Sequence, residues 1–96
     1  MKRIYISGAI TGTNEYIENF KKAEEHLKDL GYSVMNPARV NAEMPSDTTY
    51  EEYMTMSLCM LSMCESIYML KNWETSLGAN RELGYAIGKN MNIIYQ

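Results

Sequence analysis

The segment S-I-Y-M-L-K-N-W-E-T-S-L-G-A-N-R-E-L-G-Y-A-I-G, residues 66–88, joins a strand pattern to a helix pattern through a polar turn. Ser66–Leu70 is short and mostly apolar, which marks a buried strand. Lys71–Thr75 reads as a loop. A helix starts just after Ser76, whose hydroxyl is placed to cap it. N-I-I-Y at 92–95 supplies the next strand.

Working toward the N-terminus, the same alternation recurs. Residues 2–7, K-R-I-Y-I-S, form a strand that runs into Gly8, and G-A-I-T-G-T at 8–13 forms a Gly/Thr-rich turn. From about Asn14 to Leu30, Ile17, Phe20, Ala23, Leu27 and Leu30 make one helical stripe. Glu15, Lys22, Glu25 and Lys28 take the solvated face, and His26 lies on that side. Gly31 sits where a helix end wants a positive φ. Tyr32–Asn36 is a second strand, and 37–47 is expected to be a loop held by two prolines. Thr48-Thr49-Tyr50-Glu51 fits a capping box that opens a helix running to about Cys64. The order β-α-β-α-β-α-β favours a parallel sheet with helices on both faces. A flavodoxin-like three-layer α/β/α sandwich follows, as one domain over residues 1–96. In such sheets ligands bind beyond the carboxyl ends of the strands. That rim gathers Ser7–Thr13, Asn36–Arg39 and Lys71–Gly78.

Bulk properties exclude several classes. The 96 residues are 46% hydrophobic and 22% charged, with net charge −3, which is ordinary for a globular domain. There is no basic run, so a nucleic-acid polymer is not an expected partner. No apolar run suits a membrane span, and the N-terminus is too short for a signal peptide. A cytoplasmic location is expected. Cys59 and Cys64 match neither a redox nor a zinc spacing, and His26 is the only histidine. Two buried thiols are expected, with no metal and no cofactor.

The helix at about 49–64 is apolar nearly all round. Tyr50, Tyr53, Met54, Ser57, Leu58, Leu61 and Cys64 make its core stripe. Met56, Met60, Met63 and Cys59 fall on another side. A helix buried on two sides in so small a domain implies a homo-oligomer through this element.

Glu82 stands out in the last helix, with Gly78 one turn before it. Helical side chains lean toward the N-terminus, so Glu82 leans over Gly78. It lies six residues beyond Ser76, about 9 Å along the axis at about 1.5 Å per residue. Ser76 and the Gly78 N–H could bind a phosphate at the helix start, with a reactive carbon over the carboxylate. The alternative is a plain N-cap and a surface acid, with Gly78 and Gly84 serving close helix–sheet packing. Trp73 could stack on a nucleobase or cover the end of the sheet. Arg39 and Arg81 are candidate phosphate partners.

The chain resembles the nucleoside 2-deoxyribosyltransferase superfamily, especially its short bacterial and phage branch. The matching segments are I-Y-I-S-G-A-I-T-G at 4–12, N-P-A at 36–38 and C-E-S-I-Y-M-L-K-N-W-E-T-S-L-G-A-N-R-E-L-G-Y-A at 64–86. It also resembles the 2′-deoxynucleoside 5′-phosphate N-hydrolases, in which S-L-G-x-x-x-E-L-G-x-A recurs. The resemblance implies that Glu82 attacks the anomeric carbon of a deoxyribosyl unit, as in a retaining glycosidase. It further implies that Ser7, Gly8, Ile10 and Gly12 line the sugar and phosphate, that Ser76 and Gly78 bind the phosphate end, and that Tyr5 flanks the pocket. The partner would be a small nucleoside or nucleotide. Those enzymes place an aspartate on the second helix. Ser57 is nearest to that position here, and it cannot donate a proton as an acid does. Glu51 or Glu74 could substitute. Three readings stay open: a glycosidase or transferase, a nucleotide-binding protein without turnover, and an interaction module using the Met-rich helix.

Overall fold

The computed structural model describes residues 2–10 and 15–96. Strand β1 spans Arg3–Ser7, helix α1 Tyr16–Asp29 and strand β2 Ser33–Met35. Helices α2, Pro37–Ala42, and α3, Tyr50–Ser62, precede strand β3, Ser66–Met69. A 3-10 turn at Trp73–Thr75, helix α4 over Leu77–Gly88 and strand β4, Asn92–Tyr95, complete the order. The four strands are parallel in the order β2-β1-β3-β4.

The expected three-layer architecture is present, and side-chain alternation along β1 shows why. Ile4 and Ile6 face one side, where Phe20, Ala23 and Leu27 of α1 and Ala38 of α2 cover them. Tyr5 faces the other, against Leu61 of α3 and Ala79, Leu83 and Ala86 of α4. Both faces of β1 are sealed, as a central parallel strand requires. The chain leaves β1 for β2 on one side and later returns to β3 on the other. The crevice at that reversal is where an open sheet offers space.

Local chemistry accounts for the element ends. Gly31 adopts φ +96° after α1, as expected. The N–H groups of Gly31 and Tyr32 close back on the carbonyls of Lys28 and Leu27 at 2.9 and 3.1 Å, a Schellman end. The capping box of α3 is one residue later than the sequence suggested. Thr49 accepts from the Glu52 N–H at 3.1 Å, and Glu52 accepts from the Thr49 N–H at 2.8 Å. Thr48 bonds the Pro45 carbonyl instead.

Several expectations need correction. Residues 37–42 form helix α2, not loop, because Asn36 Oδ1 accepts from the Ala38 N–H at 3.0 Å and Pro37 sits at the first helical position. Ile17 and Leu30 are exposed ends of the α1 stripe. On α3, Met60 turns into the core while Leu58 is only half-buried. Less of the second apolar face is left, chiefly Met63 at 49% exposure. Cys59 is exposed, and only Cys64 is buried, where loss of water pushes its thiol up to about 11. Among the described residues no helix is long and apolar enough to cross a membrane.

Candidate active site

Glu82 projects from α4 into the crevice. Only 7% of it is exposed. The Tyr5 hydroxyl donates to Oε2 at 2.7 Å, and the Ser7 hydroxyl donates to Oε1 at 2.6 Å. Both donors come from the same face of β1, two residues apart, so the strand's period of two aims them at one carboxylate. Ser57 of α3 is a third hydroxyl against the acid and also touches Tyr5. Among the described residues no Lys, Arg or His pairs with Glu82; the ion pairs run from Lys28 and Arg39 to Glu24 and from Arg81 to Glu51.

Burial pushes the Glu82 carboxyl above the usual carboxylate range, and the hydroxyls of Ser7, Tyr5 and Ser57 pull it back in part. Burial and then the neighbouring Glu82 charge raise Tyr5 well above the usual phenol range. Tyr5 therefore stays protonated and keeps donating.

A cavity of about 380 Å³ opens beside the carboxylate. Ile6 of β1, with Gly8 and Ile10 just beyond the strand's end, forms its base. Tyr16 and Phe20 of α1 close one wall, and Pro37 and Asn41 of α2 another. Tyr50, Tyr53, Met54 and Ser57 of α3 face Ser76, Gly78, Ala79 and Glu82 of the last helix. The size suits a small organic ligand. Asn41 Oδ1 is buried without a hydrogen-bond partner among the described residues, which is uncommon and asks for an explanation.

Two glycines belong to this geometry. A Cβ on Gly8 would lie 2.7 Å from Leu70 Cδ1, so only glycine lets the chain cross there undisturbed. A Cβ on Gly78 would lie 3.3 Å from Met54 Sδ and 3.8 Å from the Tyr50 hydroxyl. Gly78 thus keeps the cavity wall between α3 and α4 low. At Gly84 nothing lies within 4 Å of such a Cβ, so close packing does not explain that glycine.

The residues singled out from the sequence separate into groups. Glu82, Gly8, Ile10, Ser76 and Gly78 line the cavity. Ser7 and Tyr5 are 1% and 0% exposed and stand behind the carboxylate rather than on the wall. Gly12 lies outside the described residues. Trp73 is not on the cavity; its ring packs 6.1 Å from that of Tyr95 at the end of the sheet. Ser76 caps α4, accepting from the Ala79 N–H at 3.1 Å. Arg39 is held by Glu24 at 3.0 Å. Arg81 pairs with Glu51 at 3.1 Å and lies 5.7 Å from the centre of the Tyr50 ring. Tyr16, Tyr50, Tyr53 and Asn41 were missed. Tyr50 and Tyr53 follow the apolar period of α3, and that period cannot distinguish a core wall from a cavity wall.

A family model described as a domain of unknown function, DUF4406, matches residues 2–95. The chain belongs to that family. This DUF4406 chain also superposes on a solved 2-deoxyribosyltransferase from the psychrotolerant bacterium Bacillus psychrosaccharolyticus. The TM-score is 0.77 at 19% identity, covering 97% of this chain and 70% of the other. The likeness establishes a shared fold. No curated protein matches the DUF4406 chain.

Proposed function

We propose that this protein cleaves or transfers the N-glycosidic bond of a small nucleoside or nucleoside 5′-monophosphate, with Glu82 as nucleophile. One observation carries the reading: a buried carboxylate with no cationic partner among the described residues, hydrogen-bonded by the Tyr5 and Ser7 hydroxyls and open to a ligand-sized cavity. An unpaired acid in a cleft is costly to keep, and such groups concentrate at functional sites. The shared fold with a 2-deoxyribosyltransferase supports the same reading.

In this reading the sugar lies against Gly8 and Ile10, and a 5′ substituent points to Ser76 and Gly78. A Glu82 oxygen attacks the anomeric carbon, the base departs, and water or a second base takes the glycosyl group. Tyr5 and Ser7 hold the carboxylate in one orientation. Trp73 takes no part. A second copy would pack on the α3 face, around Met63 and Cys59, which light scattering of the purified protein checks.

The test is base release, followed by chromatography, from a panel of 2′-deoxynucleosides and their 5′-monophosphates. Release by the wild type that disappears in Glu82→Ala is the expected result. A second reading, ligand binding without turnover, draws support from Ser57, which puts a hydroxyl rather than a second acid beside the nucleophile. Saturable binding with no base released would favour it.

A further inference from the structure

We infer that the cavity is built for an N-glycoside whose leaving group is a cationic aromatic ring, of the pyridinium carboxamide riboside class, in preference to a neutral nucleoside. This rests on the reading of Glu82 as the nucleophile.

Charge is the first argument. Among the described residues lining the cavity, Glu82 is the one carboxylate, and none is Lys, Arg or His. A buried anion without a counter-charge is expensive, and a cationic ligand removes that expense on arrival. The nearby cation, Arg81, is already taken up by Glu51 and the Tyr50 ring.

Ring chemistry is the second. Tyr16, Phe20, Tyr50 and Tyr53 all line this one cavity. Aromatic faces carry negative potential and attract cations, more strongly where water is excluded.

The leaving group is the third. A neutral base must be protonated as it departs, and a general acid is normally supplied for this. The remaining hydrogen-bonding side chains on the wall are alcohols, phenols and an amide, far weaker acids than a carboxyl group. A pyridinium needs no proton. As a Glu82 oxygen bonds to the anomeric carbon, the bond from that carbon to the ring nitrogen breaks. Its electron pair passes to nitrogen, and the base leaves neutral. Water then displaces the carboxylate, giving the free sugar, a restored Glu82 and a proton released to solvent. Finally, Asn41 Oδ1 is a buried acceptor with no donor among the described residues, and a carboxamide N–H on the departing ring is one.

The experiment compares kcat/KM for nicotinamide riboside and 7-methylguanosine with that for 2′-deoxyadenosine, 2′-deoxyguanosine and 2′-deoxyguanosine 5′-monophosphate. The expected preference for the cationic pair is about a hundredfold or more, the usual worth of a general acid that neutral substrates would lack here. Glu82→Ala should abolish release from all. Neutral substrates cleaved as fast as cationic ones overturn the inference and leave the Glu82 reading standing. No release from any probe overturns both. Asn41→Ala should raise KM for nicotinamide riboside more than for the same pyridinium riboside lacking its carboxamide. An equal change for the two overturns the role given to Asn41.

Discussion

Two glutamates are buried to the same degree on opposite faces of the sheet, Glu24 at 6% and Glu82 at 7% exposure. Glu24 is surrounded by compensation. Lys28 Nζ lies 2.6 Å away, Arg39 3.0 Å, and Asn36 Nδ2 donates at 2.9 Å. Burial pushes its carboxyl up, but the Lys28 and Asn36 hydrogen bonds and the charges of Lys28 and Arg39 outweigh that and hold it below the usual range. Among the described residues Glu82 has hydroxyls alone, and burial wins. The comparison separates two uses of the same side chain. Glu24 ties α1 to Asn36 and Arg39 at the start of α2 and so serves the fold. Glu82 is left uncompensated beside a cavity, which costs stability and suits chemistry.

The largest expected effect is on turnover. On the role proposed for Glu82, Glu82→Ala should lower kcat/KM by at least about 10⁴-fold. Retained activity in that variant, with circular dichroism unchanged, would break the contrast outright.

Next in size is the cost of removing the compensated acid. Glu24→Ala leaves the Asn36 amide without its acceptor and should destabilise the fold by about 1–3 kcal/mol in urea unfolding. A loss below the error of the measurement would show that the ion pairs offset nothing.

Removing one hydrogen bond to the Glu82 carboxylate is a smaller change. Ser7→Ala deletes a hydrogen bond to the ionised carboxylate, of the kind worth about 1.5–3 kcal/mol. Activity should fall about tenfold or more, and the acid limb of the pH–rate profile should move to higher pH, because a bond favouring the charged form is gone. An unmoved profile would place the control of Glu82 elsewhere.

The smallest effect is the most discriminating, because its sign differs between the two acids. Glu82 is raised, so the native state holds its proton more tightly than the unfolded chain does. Its contribution to stability is full below the ordinary value near 4.5 and is lost as pH rises through the raised native value. Glu24 is lowered, so its contribution is present above the ordinary value near 4.5 and is lost as pH falls through the depressed native value. Thermal melts of Glu82→Gln should therefore gain on the wild type as pH rises from 4 toward 7. Those of Glu24→Gln should lose ground over the same range. Parallel slopes would remove the distinction.

Much of this molecule was legible in the chain because the signals are local. Strand and helix patterns alternate, Ser76 caps α4, and Gly31 takes the left-handed turn that its place after α1 requires. Glu82 could be singled out because Gly78 precedes it by one turn. What was misread has a common cause. Asn36-Pro37 looks like a break in the chain, yet the Asn36 cap makes it the start of α2. The apolar period of α3 gives a face but not its rotation, so Met60 and Cys59 were read onto one second side, whereas Met60 enters the core and Cys59 is exposed. For Trp73 the sequence left base stacking and cover for the sheet's end both open, and its ring packs against Tyr95.

The sequence by itself determined the alternation of the four strands with α1, α3 and α4, the parallel layered architecture and the presence of one conspicuous acid, since each depends on residues within a few turns of one another. Only the tertiary structure decided what surrounds that acid. Tyr5 and Ser7 lie 77 and 75 residues from Glu82 in the chain, and the aromatic walls and Asn41 come from three further helices. Hydrogen bonding, desolvation and cavity shape at a point arise from groups that only folding brings together, and no local pattern encodes their meeting.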